Sequence, residues 1–360
     1  MTHLERTRKS LAASDFDAIV VSSEINQRWL TGFSYQDGLA VVTADRAALI
    51  TDFRYIEAAN ASPAAKEFEI LMPEGGKMNS CAFDILKSSG AKKIALEEAT
   101  LSMAGRDRFA AAFADMEVVP GASALLDRLR EFKDAGEIET MKRAQAITDM
   151  AFSHIVEWLT PDRTEREVAL EIEFFMRAHG AERAAFDTIA VSGTASSMPH
   201  GVPRDVKLEK GFLTMDFGAA VDGYCSDMTR TVVIGKADAE IKKVYETVLA
   251  AQLAVLDQIG PKKGCRKMHM IASKIIDDAG YAGRFGHGLG HGVGMYIHEA
   301  PSLSPRAAMS AVLQPGHVVT DEPGIYLPGK YGCRIEDMIA ITEDGFYDFT
   351  QSPKDLIEIV

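Results

Sequence analysis

The sequence has little of what marks a disulfide-stabilised, nucleic-acid-binding or membrane protein. Its 360 residues include only four cysteines and no CxxC pair, so free thiols in a reducing compartment are expected. The net charge is −13, whereas a nucleic-acid partner requires a basic face. No apolar run approaches the length of a membrane-spanning helix, and the charged N-terminus lacks the apolar core of a secretory signal. We therefore expect a cytoplasmic protein with no nucleic-acid and no membrane partner.

The chain is long enough for two domains, and its pattern of predicted strands and helices changes between residues 121 and 135. Six short strands are predicted between residues 17 and 120, separated by helical or turn-like segments. This pattern is typical of an α/β domain with a partly parallel sheet. No glycine-rich phosphate loop follows the first strand, which argues against dinucleotide binding. A long helix is predicted over 134–159, and we place the two domains at 1–125 and 134–360.

Four segments of the second domain combine carboxylates, histidines and glycines. In the first, residues 212–235, the turn dipeptide Asp222-Gly223 separates two strand-like runs. If these two residues form the loop of a hairpin, Asp216 and Asp227 are diagonal neighbours on one face, with Cα atoms about 7–8 Å apart. Such a pair could bracket two metal ions. A solvated hairpin with two surface aspartates explains this segment alone equally well.

The second segment, residues 285–301, contains three of the nine histidines of the chain among five glycines. His287 and His291 are four residues apart, and His298 is seven further on. The glycines let the backbone pass close to another group. An anion-binding loop is the alternative, but the spacing is not GxGxxG and three imidazoles favour a functional site.

The third and fourth segments each present a carboxylate from a strand. Glu322 follows a strand-like run, and a carboxylate at the end of a buried strand needs a partner, of which a metal ion is the natural one. Residues 332–342 are predicted to form a single strand whose alternation places Arg334 and Glu336 on one face. An arginine there would bind a neighbouring carboxylate or that of a substrate.

Together these segments resemble the pita-bread metallopeptidase family, in the branch that contains aminopeptidase P and prolidase. The resemblance is carried by seven short motifs, at residues 199–201, 215–218, 226–231, 290–294, 298–299, 322–326 and 334–337. The N-terminal region is similar to the creatinase-like domain of this family. The resemblance therefore implies an α/β N-terminal creatinase-like domain followed by an α+β pita-bread catalytic domain.

The resemblance also implies roles for individual residues. Five metal ligands are implied: Asp216, Asp227, His291, Glu322 and Glu336. Asp227 and Glu336 would bridge two ions, and Glu322 would also handle the proton of a bridging water. The implied catalytic residues are His200, His298 and Glu322, and the implied substrate-binding residues are His287 and Arg334.

The activity implied by the resemblance is that of a metallo-exopeptidase with two divalent ions per chain. A hydroxide that bridges the metals would cleave the Xaa-Pro bond at the N-terminus of peptides or in dipeptides. Four carboxylates and one imidazole favour Mn(II), with Co(II), Zn(II) or Fe(II) as alternatives. Short proline-containing peptides are the expected partners, and a homodimer is the expected assembly. Two other functions stay open, a metal-bound peptidase without proline preference and a non-catalytic pita-bread binding module. The choice between Xaa-Pro dipeptidase and Xaa-Pro aminopeptidase is open as well.

Overall fold

The computed structural model describes residues 1–360, which divide into two compact units, Met1–Arg130 and Glu131–Val360. All four cysteines are free thiols, as expected. None of the helices combines the length and the apolar character needed to cross a membrane.

The first unit is built on one mixed sheet of six strands. In chain order these are β1 Ala18–Val21, β2 Leu39–Thr43, β3 Ala47–Ile50, β4 Glu69–Leu71, β5 Lys93–Leu96 and β6 Glu117–Pro120. Their order across the sheet is β4-β3-β2-β1-β5-β6, with β1 antiparallel to β2 and parallel to β5. Six helices accompany the sheet: α1 His3–Ala12, α2 Glu24–Thr31, α3 Ile56–Ala61, α4 Met78–Ser88, α5 Met103–Ala112 and α6 Ala122–Arg130. The prediction of a partly parallel α/β sheet is confirmed.

The central strands of this sheet are apolar on both faces. Every residue of β1, β2 and β3 is buried, which is the pattern of strands with helices on both sides. Apolar side chains of α4 and α5, such as Leu86 and Phe109, pack with Val20 and Val41 in one core. This packing follows from the near-continuous apolar runs that predict the strands.

The second unit contains four long helices: α7 Ala135–Trp158, α8 Glu165–Ala178, α9 Ala239–Leu256 and α10 Cys265–Ile276. Thr164 and Glu167 form a capping box at the start of α8. The glycine at position 280 limits the length of α10. This helix ends at Ile276 and is followed by a π-helical turn in which Gly280 has φ +94, a conformation that no regular right-handed helix continues.

Fourteen strands complete this unit: β7 Arg183–Ala184, β8 Ile189–Ser192, β9 Gly211–Phe217, β10 Ala219–Val221, β11 Tyr224–Cys225, β12 Met228–Ile234, β13 Gly290–Gly292, β14 Glu299–Leu303, β15 Val318–Asp321, β16 Gly324–Leu327, β17 Tyr331–Arg334, β18 Asp337–Ile341, β19 Phe346–Asp348 and β20 Glu358–Ile359. The two larger sheets have the orders β20-β12-β9-β8 and β14-β13-β15-β18-β19. Apolar side chains of α7 and α8 pack on the first sheet, and those of α9 and α10 pack on the second. Each helix pair thus covers one sheet.

The hairpin predicted around Asp222-Gly223 is present. Asp222 has φ 48 and Gly223 has φ 86, as a two-residue type I′ turn requires. In the β9–β12 ladder Asp216 is the partner of Thr229, and Phe217 is the partner of Met228. The prediction that Asp216 and Asp227 are diagonal neighbours follows from this register.

The prediction of one continuous strand over 332–342 is wrong. Strand β17 pairs with β16 in a two-stranded sheet, whereas β18 pairs with β15 in the five-stranded sheet. Ile335 N–H still donates to Pro323 O (3.4 Å), in register with the β16–β17 ladder, whereas Glu336 N–H donates to Thr229 O of β12 (3.1 Å), and the chain therefore leaves that ladder at Glu336. Alternation along a strand is therefore not the reason why Arg334 and Glu336 reach the same site.

Candidate metal centre

The five predicted metal ligands line one cavity of about 700 Å³. They reach it from the strands of the second unit, at the ends or breaks of β9, β12, β15 and β17 and from within β13. Ligand atoms of Asp227, His291 and Glu336 all lie within 4.8 Å of one another. His291 Nε2 lies 3.5 Å from Asp227 Oδ2 and 3.5 Å from Glu322 Oε1. Side chains from widely separated parts of the sequence thus share one small volume.

The imidazole of His291 is held in the form that binds metals. Its Nδ1 donates to Gly292 O at 3.0 Å, so the lone pair of Nε2 faces the carboxylates. Burial lowers the pKa of His291 to about 4, which keeps the ring neutral. Close approach of β13 to β15 positions this residue, since a Cβ at Gly290 would lie only 2.0 Å from Thr320 O.

The carboxylates around His291 carry more charge than the protein compensates. Burial, and next the charge of Glu336, raises the pKa of Asp227 well above its usual value. Burial followed by the charge of Glu322 does the same for Glu336, and burial raises the pKa of Glu322 to about 8. Such a cluster is expected to ionise fully only around a cation.

An unpartnered oxygen at Asp216 supports the same conclusion. Asp216 Oδ2 accepts from Arg334 Nη2 at 2.6 Å, whereas Oδ1 is buried and has no hydrogen-bond partner. A buried carboxylate oxygen without a donor costs free energy, and a divalent cation is a group that satisfies it. One imidazole and four carboxylates form a donor set that fits such ions.

Arg334 lies behind the ligands and is almost fully buried, at 3% exposure. Besides Asp216, its guanidinium contacts Thr229 Oγ1 (2.9 Å) through Nε and Tyr326 OH (2.7 Å) through Nη1. Of the two partners considered for this arginine, the structure therefore provides the neighbouring carboxylate.

Two side chains that were not predicted from the sequence connect Arg334 to a proposed ligand and to His287. Thr229 Oγ1 donates to Glu336 Oε2 at 2.6 Å while accepting from Arg334. Tyr326 OH lies 2.9 Å from His287 Nε2, whose ring donates from Nδ1 to Gly288 O. Thr229 follows Asp227 by two residues and faces Asp216 across the ladder, which was the available signal for its role.

The other predicted histidines line the same cavity. His298 is exposed, and its ring centroid lies 4.3 Å from that of His291. His200 is also exposed. Burial lowers the pKa of His287 to about 4, and burial followed by the charge of His200 lowers the pKa of His298. Both rings are therefore neutral near pH 7.

Further wall residues were not predicted from the sequence. Phe186, Ile189, Val202 and Ile297 give the cavity an apolar side. A smaller cavity of about 250 Å³ adjoins it and shares three lining residues, His287, Gly288 and Ser304. Among its remaining lining residues are His269 and Arg306, and none of its lining residues is acidic.

Comparison with known proteins places the chain in a family. A model of metallopeptidase family M24 matches residues 139–343, and a model of the creatinase/prolidase N-terminal domain matches residues 3–132. The chain therefore belongs to metallopeptidase family M24. The expected class, a metallo-exopeptidase with a creatinase-like N-terminal domain and a pita-bread catalytic domain, is confirmed, and membership of this family implies the use of divalent metal.

Relatives cover the whole chain. An uncharacterised peptidase of Bacillus subtilis is 42% identical over 98% of this chain and 99% of its own length. A structure described as the Xaa-Pro dipeptidase from Bacillus anthracis has a TM-score of 0.94, with 39% identity and 99% of both chains covered. The structure of an X-Pro aminopeptidase from Thermotoga maritima has a TM-score of 0.90, with 34% identity over 98% of this chain and 100% of the other.

Proposed function

We propose that this protein hydrolyses the Xaa-Pro bond of dipeptides or at the N-terminus of short peptides. The observation that carries the proposal is the cavity in which a neutral His291 meets several buried carboxylates whose charge Arg334 alone does not compensate. The 39% identical Xaa-Pro dipeptidase and the 34% identical X-Pro aminopeptidase support the proline preference. They support both activities of the branch, which differ in the length of the peptide that is cleaved.

Two divalent ions, preferably Mn(II), would be held by five residues: Asp216, Asp227, His291, Glu322 and Glu336. Asp227 and Glu336 would be shared between the ions. When bound, such a pair supplies an acidified water and polarises the carbonyl of the scissile bond. The roles of the surrounding side chains follow from their positions in the cavity.

Glu322 is the residue that would take the proton of the attacking water and pass it to the leaving nitrogen. Its Oε1 accepts from Thr320 Oγ1 at 3.2 Å, and the same hydroxyl accepts from the His291 backbone N–H at 3.1 Å. Thr320 thus couples the orientation of the proton carrier to that of the imidazole ligand.

The three histidines that line the cavity besides His291 would act on the substrate. His298, beside His291, would donate to the oxygen on which negative charge develops. His200 and His287 would line the path of the peptide, and His287 is kept in one tautomer by Gly288 O and Tyr326 OH. Arg334 would act on substrate only through Asp216, because it is buried against that carboxylate.

Proline explains why a dedicated cavity is needed. It has no N–H and its φ is fixed, so the strand-like pairing that usually aligns a peptide fails after the scissile bond. An apolar wall such as Phe186 and Ile189 can hold the ring instead.

Hydrolysis of Xaa-Pro, Xaa-Pro-Xaa and the matched Xaa-Ala peptides tests the proposal, after chelation and again after addition of Mn(II). We expect metal-restored cleavage of the proline peptides, with Asp227→Asn as the inactive control. Metal-restored cleavage of Xaa-Ala at the same rate would refute proline preference, and absence of both metal binding and cleavage would favour the binding module. Light scattering tests the homodimer, which belongs to the same proposal.

A further inference from the structure

A buried ion pair involves the residue that directly follows His298 but contains none of the proposed metal ligands. Lys133 Nζ contacts Glu299 Oε2 at 3.0 Å, and the two side chains are only 1% and 4% exposed. Burying such a pair is costly, and apolar or neutral replacements are often as stable. Stability is therefore a poor explanation for this pair, and its connections suggest another.

Glu299 is the centre of a tight turn formed by residues 294–299. Its Oε1 accepts from the Tyr296 backbone N–H at 3.1 Å, and Gly294 N–H donates to Tyr296 O at 3.0 Å. A Cβ at Gly294 would lie 2.4 Å from Glu299 Oε2. The carboxylate thus fills the inside of the turn.

Both ends of this arrangement are anchored to the catalytic unit. Gly294 O accepts from the Cys225 backbone N–H at 2.8 Å, two residues before Asp227. Lys133 N–H donates to Gly316 O at 2.8 Å, and Gly316 N–H donates to Ile341 O at 3.0 Å, at the end of β18. The lysine therefore reaches into the turn from a backbone position that is itself fixed.

His298 is the residue whose geometry depends on this turn. It directly precedes Glu299, it is exposed in the cavity, and its ring centroid lies 4.3 Å from that of His291. The structure shows no hydrogen bond from the protein to its ring, so the position of the imidazole depends on the backbone of the turn and on the contact with the His291 ring. We propose that Lys133 and Glu299 are positioning residues: their ion pair fixes the turn 294–299 and thereby aims His298 at the reacting carbonyl. This inference rests on the role of His298 in the proposed function.

The test removes both charges together, because a single change would leave an unpaired buried charge. The variant combines Lys133→Met with Glu299→Gln, and the oxygen of the introduced amide keeps an acceptor for Tyr296 N–H. Misplacement of a catalytic group by about 1 Å costs up to about a hundredfold in rate. We expect kcat on Xaa-Pro to fall about tenfold to a hundredfold, with KM and the number of bound metal ions unchanged. The conservative change Lys133→Arg is expected to retain most of kcat.

Repeating the double change in the His298→Ala variant separates an effect on the position of His298 from a general effect on the enzyme. In His298→Ala, adding the double change should lower kcat no further, since the pair acts through the missing ring. The exposed pair Lys274–Asp278, at 2.7 Å, provides the matched control, and Lys274→Met with Asp278→Asn should leave kcat unchanged. The proposal is overturned if the double change lowers only the melting temperature, if it reduces metal binding, or if its effect persists in His298→Ala.

A measurement without turnover keeps this test independent of the proposed function. In protein labelled with ¹⁵N-histidine, the ring signals assigned to His298 should shift or broaden in the double variant, while those of His154 and His179 stay in place. Unchanged His298 signals would refute the positioning role even in a protein that cleaves no Xaa-Pro peptide. Failure of the wild-type protein to cleave any peptide, with shifted His298 signals, would refute the proposed function alone.

Discussion

Thr229→Val is the change that most directly tests how the metal ligands are held. The hydroxyl of Thr229 is completely buried, donates to Glu336 Oε2 at 2.6 Å and accepts from Arg334 Nε at 2.9 Å. Valine has nearly the same shape and can do neither. The substitution therefore leaves the packing almost intact while it frees one oxygen of a proposed bridging ligand.

The magnitude follows from the two bonds that are lost. Hydrogen bonds to charged groups contribute about 1.5–3 kcal/mol each, and the buried Arg334 Nε is left without this acceptor. Two such bonds predict that the free energy of unfolding falls by about 3–6 kcal/mol. Loss of a group that orients a metal ligand typically weakens metal binding by about 10–100-fold, which is about 1.4–2.8 kcal/mol at 25 °C.

Calorimetric titration with Mn(II) and urea unfolding without metal measure the two effects. The matched control is Thr231→Val, two residues further along the same strand. Thr231 Oγ1 donates to Arg334 O at 2.8 Å, accepts from the Arg334 backbone N–H at 3.2 Å and contacts no ligand carboxylate. Thr231→Val should lower the free energy of unfolding by about 1–3 kcal/mol and change metal affinity less than twofold. Equal metal affinities for the two variants would refute the proposed role of Thr229.

Three further outcomes are expected from other parts of the second unit. Gly290→Ala should weaken Mn(II) binding more than tenfold, because its Cβ would collide with Thr320 O at 2.0 Å. Gly286→Ala is the control: no atom lies within 4 Å of its Cβ, so Mn(II) affinity in the same titration should not change. Arg306→Ala should raise the KM for Xaa-Pro about tenfold and leave the KM for Xaa-Pro amide unchanged. The reason is that Arg306 lines the smaller cavity, which has no acidic residues and suits a free carboxylate. Equal effects on the two KM values would contradict this. Glu165 is buried, but bonds from Arg204 and Ser192 N–H outweigh burial and lower its pKa below 4.5. The unfolded state therefore binds more protons than the folded state as the pH falls. In urea titrations, the difference in free energy of unfolding between wild type and Glu165→Gln should be constant above about pH 5 and should shrink below about pH 4.5. A difference that stays constant down to about pH 3 would contradict this expectation.

Local signals in the sequence were sufficient for much of the fold and for the pairing that brings two of the proposed ligands together. The Asp222-Gly223 turn determines the register that makes Asp216 and Asp227 diagonal neighbours. The capping box of Thr164 and Glu167 marks the start of α8. Such features are encoded within a few residues, and they can therefore be predicted without knowledge of tertiary contacts.

Features that depend on residues far apart in the sequence could not be predicted from it. The strand predicted over 332–342 breaks because Glu336 N–H pairs with Thr229 O, which lies more than a hundred residues earlier in the chain. The connection of Tyr326 to His287 and the ion pair of Lys133 with Glu299 likewise join separate segments. No periodicity within one segment carries this information, since both partners are placed by the packing of the sheets.

The most direct test of the central claim is anomalous diffraction from crystals grown with Mn(II). We predict two peaks per chain, about 3.5–4 Å apart, with Asp227 and Glu336 touching both and His291 touching one. A single peak, or two peaks away from these residues, would contradict the two-metal site on which the proposed peptidase activity depends.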